Sequence, residues 1–539
     1  MDSLIDVLED AAARFGDRPA FGLRTDDGRS WTWSFRELDR RSGIVAWRLR
    51  ALGIAPGDRM LTWSPSTPQL PATYFGAIRA GVIFVPLDLR MSSEAIERVA
   101  EKADARWLAV GTGQDAPDPV AAGLTGFRIV TLDQLTADPD GTFPADWESQ
   151  VASWPRPGGE EIFEIVFTSG TTGTPKGVML SHRSVLANLE AFHGAIPVQE
   201  HRVLSLLPLS HLMEQAAALY YALTVGADVL YVRSRNPRVI FEAIREHRVT
   251  TMALVPQVLE LFWSAIEREV EKQGRAKAFG RLRSIARRLP FPIRRLIFRG
   301  VHGRFGGGLN LFISAAAFLP PSLQQAWEDL GVRVLQGYGS TECGMATINT
   351  LDDHGPATVG RPFPPAQVRL AGDGEVLVAG PTLFSGYWRD EEATQRAMSP
   401  DGWYRTGDIG RFDEGGRLVL MGRTKDMIAL PNGMKVYPED LENELRMAGV
   451  NASVVLETRP GRIEALVLGS EAERETIAAA VKAANAKLGQ HQRIAAFRLW
   501  PDVDFPRTHT LKVKRDQVRA WAVEEAPIPV RQESSASAG

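Results

Sequence analysis

Through roughly the first 400 residues, short apolar runs alternate with stretches whose apolar positions recur at helical spacing. Arg59-Met-Leu-Thr-Trp63, Val203-Leu-Ser-Leu-Leu207 and Asp228-Val-Leu-Tyr-Val232 predict short buried strands. Trp47–Leu52 ends one helical pattern and Ala72–Ala80 forms another. Alternation of this kind predicts α/β layers with largely parallel sheets. From Gly372 to Leu420 the pattern changes: Glu375-Val-Leu-Val378 and Arg417-Leu-Val-Leu-Met421 sit among glycines and predict a small antiparallel β subdomain. Past Gly422 it changes again, to a helix over Pro438–Arg446, strands over Ala452–Thr458 and Ala465–Leu468, and a long helix over Glu471–Leu488. The expected architecture is α/β: a large N-terminal domain over residues 1–421 and a small, mobile α+β C-terminal domain over 422–525. The Pro-, Ser- and Gly-rich stretch 526–539 is expected to be disordered.

Composition narrows the class of function more than it identifies it. The chain has 539 residues, 44% hydrophobic and 24% charged, with a net charge of −3, so no basic excess points to nucleic acid. The single cysteine, Cys343, rules out an intrachain disulfide and fits a reducing compartment. The opening MDSLIDVLEDAAARF is an acidic amphipathic helix without the basic-then-apolar order of a signal peptide. The apolar stretch Gln215–Ala227 is too short to span a bilayer. A cytoplasmic location is expected.

The chemistry concentrates after the apolar run Ile165-Val-Phe167. Thr168-Ser-Gly-Thr-Thr-Gly-Thr-Pro-Lys176-Gly177 packs five hydroxyls, three glycines and a lysine into ten residues. Glycines let backbone N–H groups approach phosphate oxygens, hydroxyls donate further hydrogen bonds, and the lysine adds a point charge. The spacing differs from a Walker A loop, but the group set suits a polyphosphate.

This loop resembles the signature of the adenylate-forming superfamily of acyl-CoA synthetases, luciferases and peptide-synthetase adenylation domains. Five further motifs follow in the order that family has them: Leu207-Pro-Leu-Ser-His211, Gln336-Gly-Tyr-Gly-Ser-Thr-Glu342, Gly402-Trp-Tyr-Arg-Thr-Gly-Asp408, Gly422-Arg-Thr-Lys425-Asp426 and Pro506-Arg-Thr-His-Thr-Leu-Lys512-Val-Lys-Arg515. The phrase Leu430-Pro-Asn-Gly-Met-Lys-Val-Tyr-Pro438 is similar to long-chain fatty acyl-CoA synthetases in particular.

The resemblance implies a reaction and assigns roles. A carboxylate attacks the α-phosphate of ATP and pyrophosphate leaves; the acyl group of the resulting acyl-AMP then passes to the thiol of CoA. The first nucleophile is already an anion, so the enzyme needs alignment and charge stabilisation rather than a general base. Thr168, Ser169, Gly170, Thr171, Thr172, Gly173 and Lys176 would hold the phosphates, with Thr171 and Glu342 serving Mg2+. Thr341 would bond the α-phosphate and Tyr338 would stack on adenine. Gln336, Gly337, Gly339 and Ala316 would wall the site. Asp408, assisted by Arg423, would accept from the ribose hydroxyls. Lys512 would reach the carboxylate during adenylation, while Lys514 and Arg515 would face solvent. Lys425 marks the hinge on which the C-terminal domain turns, and Gly433 would let the pantetheine arm pass. His211 would flank the carboxylate and the acyl tunnel, with a structural histidine as the plainer alternative.

The acid itself is less legible. The family commonly has Ser-Gly-Gly-Ala where this chain has Ser314-Ala-Ala-Ala317, which narrows the wall of the acyl site. A fatty acid of medium to long chain is expected, with CoA as acceptor. The rival readings are a ligase that loads an acyl carrier protein and a non-catalytic acyl-adenylate-binding homologue. Residues 272–327 contain no Asp or Glu, and 280–299 carries arginines between aliphatic positions at helical spacing. That segment reads either as a core-facing helix with a solvated basic face or as peripheral contact with the inner membrane surface.

Overall fold

The apolar run ahead of the glycine-rich loop forms the strand Ile162–Thr168, buried through its middle, and Lys176–Ser181 returns antiparallel beside it. This arrangement comes from a computed structural model, which describes every residue except 26, 114, 169–174, 198, 235, 356, 431–433, 451, 508–512, 525–527 and 530–539. The contact pattern divides the chain into two units, Met1–Arg369 with Leu377–Arg405, and Leu370–Val376 with Thr406–Gly539.

The first unit holds two α/β sheets. In the six-stranded sheet, Arg128–Thr131, Trp107–Val110, Arg59–Trp63, Ile83–Leu87 and Ile162–Thr168 lie side by side and parallel, followed by antiparallel Lys176–Ser181. In the nine-stranded sheet the parallel core runs Arg333–Ser340, Leu311–Ser314, Thr251–Leu254, Arg202–Ser205, Asp228–Val232, Pro19–Arg24. Antiparallel strands flank it, Ser30–Ser34 on one side and Gly344–Ile348 with Arg361–Pro362 on the other. The expected α/β class with parallel sheets is therefore met. Strands such as Thr251–Leu254 and Leu311–Ser314 are buried along their whole length, as sheets covered by helices on both faces require. Met252, Leu254 and Phe312 from these strands join Phe262, Trp263 and Trp327 in one apolar core.

The second unit is smaller. Asp408 and Arg423 are register partners in the hairpin made by Tyr404–Phe412 and Leu418–Arg423. Beyond it, Ser453–Arg459, Arg462–Val467 and Ala496–Leu499 form a sheet with Ile528–Pro529. Helices Pro438–Met447 and Arg474–Lys487 cover it through Leu441, Leu445, Ile477 and Val481, with Val455, Ala465 and Phe497 beneath. Parallel and antiparallel pairings mix in this sheet, as the α+β pattern predicts. No helix among the described residues is long and apolar enough to cross a membrane.

Candidate active site

The loop motif is held by its exit strand. Thr168 and Lys176 face each other across the hairpin, and Ser169, Gly170, Thr171, Thr172 and Gly173 between them lie outside the described residues. A Cβ on Gly177 would meet the side chains of Ile165 and Phe167 at 2.8 and 3.0 Å, so glycine lets the strands close just past the lysine. Against the other side of the exit strand lies the segment 384–388. The Met179 amide donates to the Gly386 carbonyl at 3.0 Å, Ser385 N–H to Met179 at 2.9 Å and Trp388 N–H to Gly177 at 2.7 Å.

That segment carries Tyr387, whose ring lies 4.8 Å from the Lys176 ammonium. Its hydroxyl donates to Glu342 Oε1 at 3.1 Å. Burial and the neighbouring Glu342 carboxylate push the phenol well above its usual range, so it stays a donor. The Phe384 amide donates to the Glu342 carbonyl at 2.8 Å. Lys176 and Glu342, far apart in sequence, are thus tied to one tyrosine.

Glu342 sits just past Arg333–Ser340, whose end is shaped by close approach. A Cβ on Gly339 would come within 1.8 Å of the Gly344 carbonyl oxygen, and one on Gly337 within 2.7 Å of Met345 Sδ. Tyr338 is buried, Thr341 half-buried. The turn is pinned from the helix His182–Ala195, which follows the exit strand and is capped by Ser181 accepting from the Ser184 amide. Asn188 on that helix accepts from the Met345 amide at 2.7 Å and donates to the Ser184 carbonyl at 2.8 Å. One helix therefore follows the exit strand of the glycine-rich loop and clamps the glutamate motif.

Two neighbouring parallel strands bring Ser314 and Gln336 into register. Both are buried, and Ser314 Oγ and Gln336 Oε1 meet no protein partner. Polar atoms left open near the carboxyl ends of parallel strands suit a ligand that hydrogen-bonds there. Ala316, two residues on, is exposed and has φ +69°, a left-handed conformation that disfavours a Cβ.

His211 lies at the start of the helix Leu212–Gln215. Its Nε2 is 3.0 Å from Asp88 Oδ2, and Asp88 also receives Arg90 through Nε at 2.9 Å and a terminal nitrogen at 2.7 Å. Burial pushes the Asp88 carboxyl up, but the hydrogen bonds from Arg90 and His211 outweigh it and hold the carboxyl well below the usual carboxylate range. The loop before His211 rests on a buried network. Gln215 Nε2 donates to the Leu209 carbonyl at 2.8 Å and to Glu164 Oε1 at 2.7 Å, and the Tyr74 hydroxyl donates to the same oxygen at 3.1 Å. Burial pushes Glu164 up to about 8, and Glu214, hydrogen-bonded to Ser205, also to about 8.

In the second unit, Arg423 Nε donates to Asp408 Oδ1 at 2.9 Å. Lys425 is exposed in the 3-10 turn Thr424–Asp426. Gly433 and Lys512 lie outside the described residues.

With this geometry in place, the sequence profile of the AMP-binding enzyme family matches residues 8–388, more than half of the chain. The chain belongs to the AMP-binding enzyme family. The resemblance drawn from the six motifs holds at that level. A long-chain-fatty-acid–CoA ligase, FadD15 of Mycobacterium bovis, is 29% identical over 537 residues, 87% of each chain. A 3-[(3aS,4S,7aS)-7a-methyl-1,5-dioxo-octahydro-1H-inden-4-yl]propanoyl:CoA ligase of Mycobacterium tuberculosis is 29% identical over 445 residues, covering 78% of this chain and 80% of its own. Among solved structures, ATP-bound MatB from Rhodopseudomonas palustris superposes with a TM-score of 0.75 at 23% identity, over 97% of this chain and 99% of its own. This AMP-binding enzyme is accordingly an acid–thiol ligase with the two-part fold of its family.

One expectation about a basic residue is corrected. Arg515 does not face solvent: it donates to both Glu442 carboxylate oxygens at 2.7 Å and to the Val455 carbonyl at 3.2 Å. A guanidinium next to a buried carboxylate is held by it, whatever its sequence neighbours suggest. Within 280–299 the arginines divide: Arg281, Arg287, Arg288 and Arg299 are exposed, as a solvated basic face requires, while Arg283, Arg294 and Arg295 are partly buried. Arg287 makes a bidentate pair with buried Asp329 at 3.0 and 2.9 Å, and Arg283 lies 3.3 Å from the same carboxylate. Arg294 and Arg295 donate to backbone carbonyls, Arg294 to Leu289, Glu328 and Arg287 and Arg295 to Leu309 and Gly307.

Sequence reasoning missed Tyr387, Asn188 and Asp88. Tyr387 and Asn188 meet the motifs only through tertiary pairing. The run Asp88-Leu-Arg90, a charged pair at the end of the buried strand Ile83–Leu87, was the one local signal available.

Proposed function

We propose that this AMP-binding enzyme activates a medium- to long-chain fatty acid with ATP and passes the acyl group to CoA. The Lys176–Tyr387–Glu342 cluster carries the reading, because it brings a cation and a carboxylate together at the start of the strand that follows the hydroxyl-rich loop, a pairing that suits a triphosphate with its metal ion. The FadD15 relative supports a fatty acid, and the cytoplasm is where ATP and CoA are at hand.

ATP, Mg2+ and CoA serve this class of ligase. The residues present fit Mg2+: among the described residues no three His, Cys, Asp or Glu side chains gather into a metal cage, and Glu342 offers one oriented carboxylate. One or two carboxylates plus phosphate oxygens and water is the donor set that Mg2+ takes. Glu342 and Thr171 would hold the ion, which would neutralise charge on the phosphates. Lys176 and the loop N–H groups hold the phosphates, Thr341 bonds the α-phosphate, and Tyr338, Gly337, Gly339, Gln336 and Ala316 border adenine and acyl group. Asp408 and Arg423 receive the ribose, and His211, oriented by Asp88, flanks the fatty carboxylate. The carboxylate oxygen bonds to the α-phosphorus as the bond to pyrophosphate breaks, with Lys512 stabilising the charge. In the second step the CoA sulfur bonds to the acyl carbon as AMP leaves, and Lys425 and Gly433 are the residues that the resemblance assigns to this step.

Pyrophosphate and AMP release, followed with ATP, Mg2+ and a panel of acids with and without CoA, tests this. Release that depends on fatty acid and yields acyl-CoA is expected. Acyl-adenylate that persists when CoA is added overturns CoA as acceptor and points to a carrier protein. Lys512→Ala is expected to abolish adenylation while sparing thioester formation from supplied acyl-adenylate.

A further inference from the structure

We infer that Lys102 is a positioning residue, a role that rests on Lys176 holding the phosphates of ATP. It fixes the peptide that joins Pro175 to Lys176 and, through Asp390, the segment that presents Tyr387 to Glu342. Lys102 lies in the last turn of the helix Ser93–Ala103. The end of that helix is pinned from two sides: Arg59 Nε donates to the Ala103 carbonyl at 2.7 Å, and Arg389 donates to Asp104 Oδ2 at 3.2 Å. The lysine thus starts from a fixed point. Its ammonium donates to the Pro175 carbonyl at 3.1 Å and stands 3.6 Å from Asp390 Oδ2. The shorter contact is to the carbonyl, which belongs to the peptide whose nitrogen is that of Lys176. Proline has no N–H for a neighbour to grip, so the carbonyl is the one polar handle on residue 175.

Asp390 continues the chain of contacts. Its other carboxylate oxygen caps the helix Glu391–Ala397 by accepting from the Ala393 amide at 3.0 Å. The Thr394 hydroxyl donates to the Asp390 carbonyl at 2.9 Å and accepts from the Tyr387 amide at 2.9 Å. Tyr387 in turn donates to Glu342. The Ala393 amide, with the charges of Lys102 and Lys176, holds the Asp390 carboxyl below its usual range. One carboxylate therefore answers two ammonium groups that would otherwise repel each other.

A surface ion pair is the plainer role for Lys102. Lys102 and Asp390 keep 23 and 28% of their side-chain surface, and a pair so exposed, 3.6 Å apart, adds little stability. The bond to Pro175 does what the ion pair does not: it holds the backbone at the point where Lys176 opens the strand Lys176–Ser181. A cation held in place before the anion arrives binds it more tightly, because less ordering remains to be done on binding.

The test is calorimetric titration of the full chain with ATP plus Mg2+ and, separately, with AMP. AMP keeps only the α-phosphate, which Thr341 is read as binding, so the two ligands separate a change at Lys176 from general damage to the fold. Lys102→Met keeps the aliphatic stem and loses the donor. It is expected to weaken ATP binding about tenfold and to leave AMP binding unchanged. Lys102→Arg still donates to the carbonyl and should restore most of the affinity. Asp390→Asn keeps the helix cap and loses the charge, and should weaken ATP binding less than Lys102→Met does. Unaltered ATP affinity in Lys102→Met, equal loss of ATP and AMP, or no recovery with Lys102→Arg overturns the role of Lys102. Lys176→Ala tells that failure from failure of the underlying reading. ATP affinity lost in Lys176→Ala but kept in Lys102→Met removes Lys102 alone; ATP affinity kept in both removes the phosphate role of Lys176 and that of Lys102 with it.

Discussion

The Tyr387 hydroxyl donates to Glu342 at 3.1 Å while its ring lies over the Lys176 ammonium. A carboxylate that must orient a cation gains from a fixed donor on one oxygen, because the other is then presented in one direction. Tyr387→Phe keeps the ring and loses only the donor. The expected result is a rise of roughly tenfold in the Mg2+ concentration needed for half-maximal pyrophosphate exchange, with folding intact. An unchanged Mg2+ dependence would remove Tyr387 from the site.

Ala316 holds a left-handed backbone at φ +69°. A Cβ there costs about 1 kcal/mol, so Ala316→Gly should raise the urea midpoint of the first unit, less the small entropy that glycine regains on unfolding. A fall in the midpoint would show that the surrounding loop favours the methyl. With Ala316 bordering the acyl group as proposed, the same variant should extend the acid panel to bulkier acids.

Glu164 and Glu214 are both pushed up to about 8 by burial, from an ordinary value of 4.5. Between those values the folded chain holds two protons that the unfolded chain has released. Stability is therefore fully present below about 4.5 and declines as pH rises to about 8. Glu164→Gln mimics the neutral acid and keeps the oxygen that accepts from Gln215 and Tyr74. Thermal unfolding of this variant should decline less steeply across that pH window. Parallel pH profiles for parent and variant would contradict a neutral Glu164.

Arg515→Ala leaves the Glu442 carboxylate buried without its cation, since both oxygens are bonded by Arg515. The expected cost is about 3–5 kcal/mol, read as faster proteolysis within residues 406–524. Adding Glu442→Gln should recover much of the loss. If the pair of changes is no better than Arg515→Ala alone, the ion pair is not what stabilises this helix.

Period and punctuation made much of the fold legible. Arg59–Trp63 and Asp228–Val232 appear as strands with the bounds their apolar runs suggest, each opening on a half-buried charged residue and buried from there on. The motif order likewise singled out Lys176 and Glu342 as candidates. What joins them was hidden. Tyr387 reaches Glu342 across 45 residues, and Asp88 reaches His211 across 123, through pairings no local pattern encodes. The arginines of 280–299 divide for a related reason. A guanidinium can satisfy backbone carbonyls as readily as water, so charge in a helical repeat does not fix which face is wet.

The segment that presents Tyr387 has a second effect. Lys176–Ser181 is the last strand in the order of its sheet, and such a strand displays a row of unpaired amide and carbonyl groups that invites another chain to add. The bonds from residues 385–388 to Gly177 and Met179 occupy that row. The same short stretch thus orients the acidic group of the site and seals the sheet against intermolecular strand addition, so changes that loosen it should reach solubility as well as turnover.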